Sequence, residues 1–533
     1  MIALGHDNNV TLYLGSDAVL KAYLGTELVY PNTTPSYDTQ YLTFEAIDNG
    51  TSFQFNQNGL EYSLDDGSTW NSLGASVDTP SLNTGDKIMF RGNMSITKGY
   101  GIGQFSSNGH FNIEGNPLSL VDDTNFADIT DFTGMNQIFF QLFYGTDVVD
   151  ASNLALPATT LSQDCYTSMF EGCTSLVTAP ALPATTLAEY CYNRMFNGCR
   201  SLTTAPELPA TTLAEYCYSY MFSTCTSLTT APELPATTLA EYCYQTMFSY
   251  CSSLTTAPAL PATTLASGCY NSMFYGCTSL TTAPVLPATT LTSSCYQSMF
   301  QGCTGLTTAP ALPATTLGAA CYNNMFQGCT GLTTAPALPA TTLASGCYNS
   351  MFSNTNIIPD CSNIDFTSQT VVSSGGLSGL FAGTKITDAD LERILPKNAN
   401  GKYCLPVTTL ASGCYSSMFK GCTSLTTAPV LPATTLANRC YGSMFNGCTS
   451  LTTAPVLSAT TLANYCYDNM FYGCTNVNYI KAMFTTTPSS TYTSNWVRNV
   501  SATGTFVKNS SATWNVTGAN GVPSGWTIQR ASQ

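Results

Sequence analysis

Cysteine is the residue whose number and spacing most invite a chemical reading of this sequence. There are 23, and all but Cys361 and Cys404 occupy two recurring places eight residues apart, as Cys269 and Cys277 do. A nucleophilic thiol needs a base beside it. The chain has two histidines, His6 and His110, and neither lies among the cysteines. A spacing of eight also lacks the close cysteine pairs of zinc sites. The odd count leaves at least one thiol unpaired, and where Thr355 replaces a second-place cysteine the pattern simply continues. A bridge partner or metal ligand would leave a defect there, so the pattern reads as ladders of buried free thiols, with some disulfides as the alternative. No metal and no cofactor is expected.

Other constellations are equally sparse. No phosphate-binding glycine loop, dinucleotide fingerprint or His-Glu-x-x-His is present. Ser63-Leu-Asp65-Asp-Gly67-Ser-Thr69-Trp70 matches the Asp-box of sialidase propellers, but a single copy in a chain with seven arginines reads as a hairpin staple. Asp388 and Asp390 lack the spaced oxygen ligands of a calcium loop. Two carboxylates at a suitable separation need no motif, so a glycan depolymerase is the enzymatic alternative to the expected non-enzyme. Net charge is −15 with 16 Lys plus Arg, and no basic stripe offers a nucleic-acid groove. No apolar run is long enough to span a membrane. Residues 1–10 show no basic, apolar or cleavage region of a leader, so export by that route is not expected of the chain as it stands.

These residues are positioned by a repeat. Leu-Pro-Ala-Thr-Thr-Leu words begin at Leu156, Leu182, Leu208, Leu234, Leu260, Leu286, Leu312 and Leu338, and related words return at Leu405, Leu431 and Leu457. The 26-residue step signals a solenoid. Within a copy, Leu280-Thr-Thr-Ala-Pro-Val-Leu-Pro-Ala-Thr-Thr-Leu291 suits a short extended segment limited by its prolines. Cys295-Tyr-Gln-Ser-Met-Phe300, closed by Gly302, has the spacing of one or two helical or 3₁₀ turns. No copy can bury its apolar face alone, so copies must stack with like residues in columns.

Six segments follow. Residues 1–35 carry alternating apolar positions between glycine turns and read as a β-hairpin anchor. Residues 36–155 hold short alternating strands and read as a β-sandwich-like module ending in a degenerate capping coil around Phe139 and Phe143. Repeats 1–8 span 156–363 and repeats 9–11 span 405–480. Between them, 364–404 is an irregular insert with a short helix capped by Thr387. Residues 481–533 read as a β-rich C-terminal cap. The expected fold is mainly β with short helices.

The words of each copy, such as Cys269-Tyr-Asn-Ser-Met-Phe-Tyr-Gly-Cys277-Thr-Ser-Leu280, resemble the BspA-like leucine-rich repeat over about 156–480. That repeat occurs in surface proteins of gut Bacteroidales and in the phages that infect them. This sequence departs from it in a longer period, proline-rich strand words and cysteine where the family usually has isoleucine. The segment Ala22-Tyr23-Leu24-Gly25 to Val29-Tyr30-Pro31 resembles an N-terminal stretch of virion proteins of Bacteroidales phages, including crAss-like ones. An ordinary edge hairpin is the alternative.

The resemblance implies a virion head or tail fibre made in the host cytoplasm. Tyr13, Leu14, Tyr23, Leu24, Val29 and Tyr30 would attach it to other virion proteins. The repeat arm would meet a host cell-surface glycan or protein. A secreted adhesin on the bacterial surface is the alternative, and a homotrimer is the oligomer that fibres bring to mind. Recognition would use the positions that vary between copies. Glu189, Glu215 and Glu241 recur in register, as do Tyr190, Tyr216 and Tyr242. Like charges on adjacent rungs repel, and tyrosine suits binding surfaces and stacking on sugars. Duplication of one coil explains the same pattern.

Overall fold

The computed structural model describes residues 37–96, 101–356 and 363–532, together with the backbone of four short strands between 13 and 30. Those strands are β1 (Tyr13–Leu14) paired with β2 (Asp17–Ala18), and β3 (Ala22–Leu24) paired with β4 (Glu27–Tyr30). The single hairpin element read from the sequence is thus two antiparallel ribbons. Tyr13 and Leu14 lie in the first, and Tyr23, Leu24, Val29 and Tyr30 in the second.

The next module comprises β5 (Leu42–Ala46), β6 (Phe53–Phe55), β7 (Leu60–Ser63), β8 (Asn71–Leu73), β9 (Lys87–Gly92), β10 (Phe105–Ser107), β11 (Phe111–Gly115) and β12 (Val148–Leu154). Six form one sheet in the order β12-β11-β5-β9-β7-β8, and β6 pairs with β10 as a separate ribbon. Alternating residues of both layers meet in a phenylalanine core, where the Phe44 ring lies 4.9 Å from Phe53 and 4.9 Å from Phe105. The Asp-box staples the β7–β8 turn: Asp65 accepts from the Thr69 amide at 2.8 Å, and Ser63 Oγ accepts from the Gly67 amide at 2.9 Å. One pairing departs from an antiparallel sandwich, because β12 runs parallel to β11. The cause is that β12 closes a solenoid coil. Its Asp150 bridges Thr178 of the following coil, so the module's sheet passes directly into the rod.

The repeats form the expected leucine-rich-repeat solenoid, but the segment read as helical turns is built differently. In the coil holding Cys191, the amides of Cys191, Asn193, Met195 and Asn197 close tight turns onto carbonyls three residues back. The alternate amides of Tyr190, Tyr192, Arg194, Phe196 and Gly198 donate instead to the next coil, as from Tyr192 to the Cys217 carbonyl at 3.0 Å. Every fourth residue is left-handed, with φ of 56° at Tyr190, 57° at Arg194 and 81° at Gly198. A helix would spend its amides within the coil; this string of turns sends half of them along the rod. The proline-bearing words opposite make mostly isolated bridges, such as Thr204 with Thr230 and Thr230 with Thr256.

Side chains therefore stack in columns. A phenylalanine column runs from Phe143 through Phe170 and Phe196 to Phe471, with ring spacings between 5.3 and 6.2 Å. It continues through the insert, where Phe381 lies 6.2 Å from both Phe352 and Phe419. Residues 364–404 thus contribute a full coil, joined by β13 (Thr342–Leu343) and β14 (Val371–Val372). The one α-helix among the described residues, α1 (Asp388–Ile394), carries the expected Thr387 cap. The C-terminal segment is more rod than separate cap. There β15 (Tyr479–Ala482), β16 (Thr505–Lys508) and β17 (Thr527–Arg530) stack in parallel as further coils. Trp496 takes the place of the repeat methionine, and its indole donates to the Gly521 carbonyl at 3.0 Å.

Every cysteine among the described residues is a free thiol, and all but Cys404 are buried. The second-place thiols donate to the phenylalanine carbonyl one coil back, as Cys199 does to Phe170 at 3.1 Å and Cys303 to Phe274 at 3.0 Å. Thr355 is tolerated because its hydroxyl donates to a carbonyl of the same column, that of Phe352, at 2.7 Å. Cys303→Thr should accordingly change unfolding free energy by about 1 kcal/mol or less, whereas Phe300→Ala should lower it by about 3–5 kcal/mol in denaturant titration. Burial pushes the thiols of Cys191 and Cys243 from 9.0 up to about 12. The unfolded chain releases these protons first, so stability should be full below pH 9 and fall as pH rises toward 12, measured by circular dichroism.

Candidate functional site

The turn string sets out three outward columns of left-handed residues. In the first, Tyr190, Tyr216 and Tyr242 are followed by Gly268, Ser294, Ala320 and Gly346. The second holds Arg194, Tyr220 and Thr246, and the third Gly198, Thr224 and Tyr250. A bulky residue in this conformation costs about 1–2 kcal/mol relative to its right-handed form. Most other coils place Gly, Ser, Asn or Ala there, with Asp164, Arg439 and Tyr465 as exceptions in the first column, so the fold itself does not demand tyrosine. Five tyrosines in three successive coils therefore mark this stretch of the face as unlike the rest.

Tyr190 and Tyr216 stack at 4.7 Å between ring centroids, and Tyr216 and Tyr242 at 5.0 Å, each with planes 10° apart. The stack leans toward the C-terminal coil and ends over Gly268, where an added Cβ would collide with the Tyr242 ring. The rings are half-buried against one another. Their faces are thus occupied, and what they offer a ligand is edges and hydroxyls rather than platforms for sugar stacking. Burial first, then the neighbouring Glu189, pushes the Tyr190 phenol up; burial and then Tyr190 and Tyr242 do the same for Tyr216. Both hydroxyls remain protonated donors at neutral pH.

Glu189, Glu215 and Glu241 line the stack and are exposed. Glu207 and Glu233 lie elsewhere, along shallow proline-lined grooves with Pro209 and Pro235. No residue of the tyrosine stack lines those grooves. Arg194 sits 4.4 Å over the Tyr220 ring and 3.6 Å from Glu171, tying the second column together. The left-handed columns escape sequence reasoning, although the recurrence of Gly, Ser and Asn at every fourth place is a signal for them.

The remaining acid and base candidates are engaged structurally. His110 Nδ1 lies 2.7 Å from Asp48 at the surface, and no hydroxyl or thiol among the described residues bonds to its ring. His6 lies outside the described residues. Asp388 accepts from the Thr426 and Thr427 amides at 3.0 Å each, stapling α1 to the next coil. Asp390 completes the helix cap with Thr387 and pairs with Arg393. Among the described residues no His, Cys, Asp or Glu group is arranged to hold a metal ion, and no helix is long and apolar enough to cross a membrane.

The family model for the BspA type leucine-rich repeat region matches in six copies, over residues 136–281, 262–378 and 409–507, which is more than half of the chain. No curated protein matches it.

Left-handed strain and stacking can be separated by mutation. Ala320→Gly, at φ 53° with no stacked ring, should raise stability by roughly 0.5–1 kcal/mol after the entropy of the added glycine is counted. Tyr216→Gly loses two stacking contacts as well and should give no gain in the same thermal unfolding assay.

Proposed function

Because the chain belongs to the BspA-type leucine-rich-repeat family, we propose that it is a non-enzymatic virion appendage, a head or tail fibre that displays a rigid repeat arm to a host cell surface. One observation carries the reading. The phenylalanine column and the coil-to-coil amide bonds continue from the N-terminal module to the last coils, so a load or a contact at one end is borne by a single body. Asp48, Asp388, His110 and the second-place thiols are meanwhile engaged in structural contacts. A leucine-rich-repeat scaffold of this kind supports display rather than turnover.

Two further features support the finer parts of the proposal. The ribbons carrying Tyr13, Leu14, Tyr23, Leu24, Val29 and Tyr30 precede the module and would serve as the attachment to other virion proteins. Tyrosine hydroxyls and exposed glutamates on the turn face would meet a surface glycan or protein. Mass spectrometry of gradient-purified particles, beside outer-membrane fractions of the host, tests this. The expected result is recovery with particles in fixed stoichiometry to the capsid protein. Recovery only in the membrane fraction would refute it and establish a cell-surface adhesin.

A further inference from the structure

Charge is laid out along the rod in three blocks. Residues 37–241 carry 22 Asp plus Glu against 5 Lys plus Arg, and residues 363–532 carry 5 against 10. Residues 242–356, between them, carry none of either sign. Because successive coils stack along one axis, the blocks are successive lengths of the rod: acidic, then neutral, then mildly basic.

The neutral length also holds the most exposed large apolar side chain among the described residues, Val285, which is 78% exposed. It stands in a column of the proline-bearing words, preceded by Glu207, Glu233 and Ala259 and followed by Ala311 and Ala337. On the same face, between the words of Glu233 and Ala259, lies an open groove of about 360 Å³. Pro232, Pro235, Pro258, Ala259 and Pro261 line it, with Glu233 at its rim. Val285 does not line this groove. Knob and groove sit one to two coils apart on one chain.

We propose that this face pairs two copies of the chain antiparallel, about a two-fold axis crossing the rod near Ala259, with Val285 of each copy seated in the proline groove of the other. Such a contact is isologous and closes on two copies. Parallel rods cannot make it. Seating the knob would slide one copy along the other by more than a coil, which is a heterologous contact that does not close. Charge favours the same arrangement. Antiparallel rods set the acidic length of each beside neutral and basic lengths of the other, whereas parallel rods set acid on acid. The pairing goes beyond the display reading and does not rest on it.

Sedimentation of the isolated full chain from about 1 to 100 μM, the range of modest interfaces, tests it. A dimer should form, and raising salt from about 0.05 to 0.5 M should weaken it severalfold by screening the attraction between the rods. Gold particles bound to an N-terminal histidine tag should mark both ends of the dimer in electron micrographs. Val285→Glu should weaken dimerisation about tenfold or more, because a charge then enters the apolar groove. It is compatible with the fold, since Glu207 and Glu233 hold the same place in their own coils. Ala259→Glu, which brings two carboxylates together near the axis, should do the same. A monomer at about 100 μM, a trimer, labels at one end, a dimer that salt does not weaken, or dimerisation unchanged in either variant would overturn the proposal. No particle enters the assay, so a chain absent from virions leaves the pairing standing.

Discussion

The structure depends on one division of labour among backbone amides. Within each turn string, alternate amides close local turns and the others cross to the next coil. This forces a left-handed residue at every fourth place, holds successive coils in one register, and so dictates that like residues stack. The phenylalanine, tyrosine, methionine and thiol columns are consequences of that register. So is the latitude on the opposite side. With little more than single bridges there, prolines that would ruin a regular parallel sheet are accommodated.

Much of this was legible in the residues. The 26-residue step and the recurring Met-Phe and Cys places identify the stacked coils and their core, and the lone Thr355 correctly marks a place for a small donor rather than a bridge. The turn string was hidden because Cys-Tyr-x-x-Met-Phe has helical spacing, and because Tyr190, Arg194 and Tyr250 obscure the Gly, Ser and Asn that would announce left-handed backbone. The coils beyond Cys474 were hidden for another reason. Trp496 fills a methionine place and Thr505–Lys508 shares no word with the repeats, so only the pairing of strands reveals them.

The turn face shows how a uniform backbone carries a non-uniform surface. Register guarantees that three neighbouring substitutions become one feature. Tyr190, Tyr216 and Tyr242 were legible as a column, but their mutual stacking was not, since it follows from the lean of each side chain over the next coil. The same lean carries the Ser350 and Asn354 side chains over Gly379 and Gly383, where the missing side chains make room for them. Loss of side chains is harder to read in a sequence than their presence.

The direction of the crossing amides bears on how the rod meets force. They lie along its axis, so tension applied between its ends loads them in series, coil against coil, instead of shearing a whole sheet at once. The weakest junction yields first and its neighbours remain folded. A released coil of this period would pay out roughly 90 Å of slack chain, so an arm of this construction can lengthen in steps under drag and recoil when the pull relaxes.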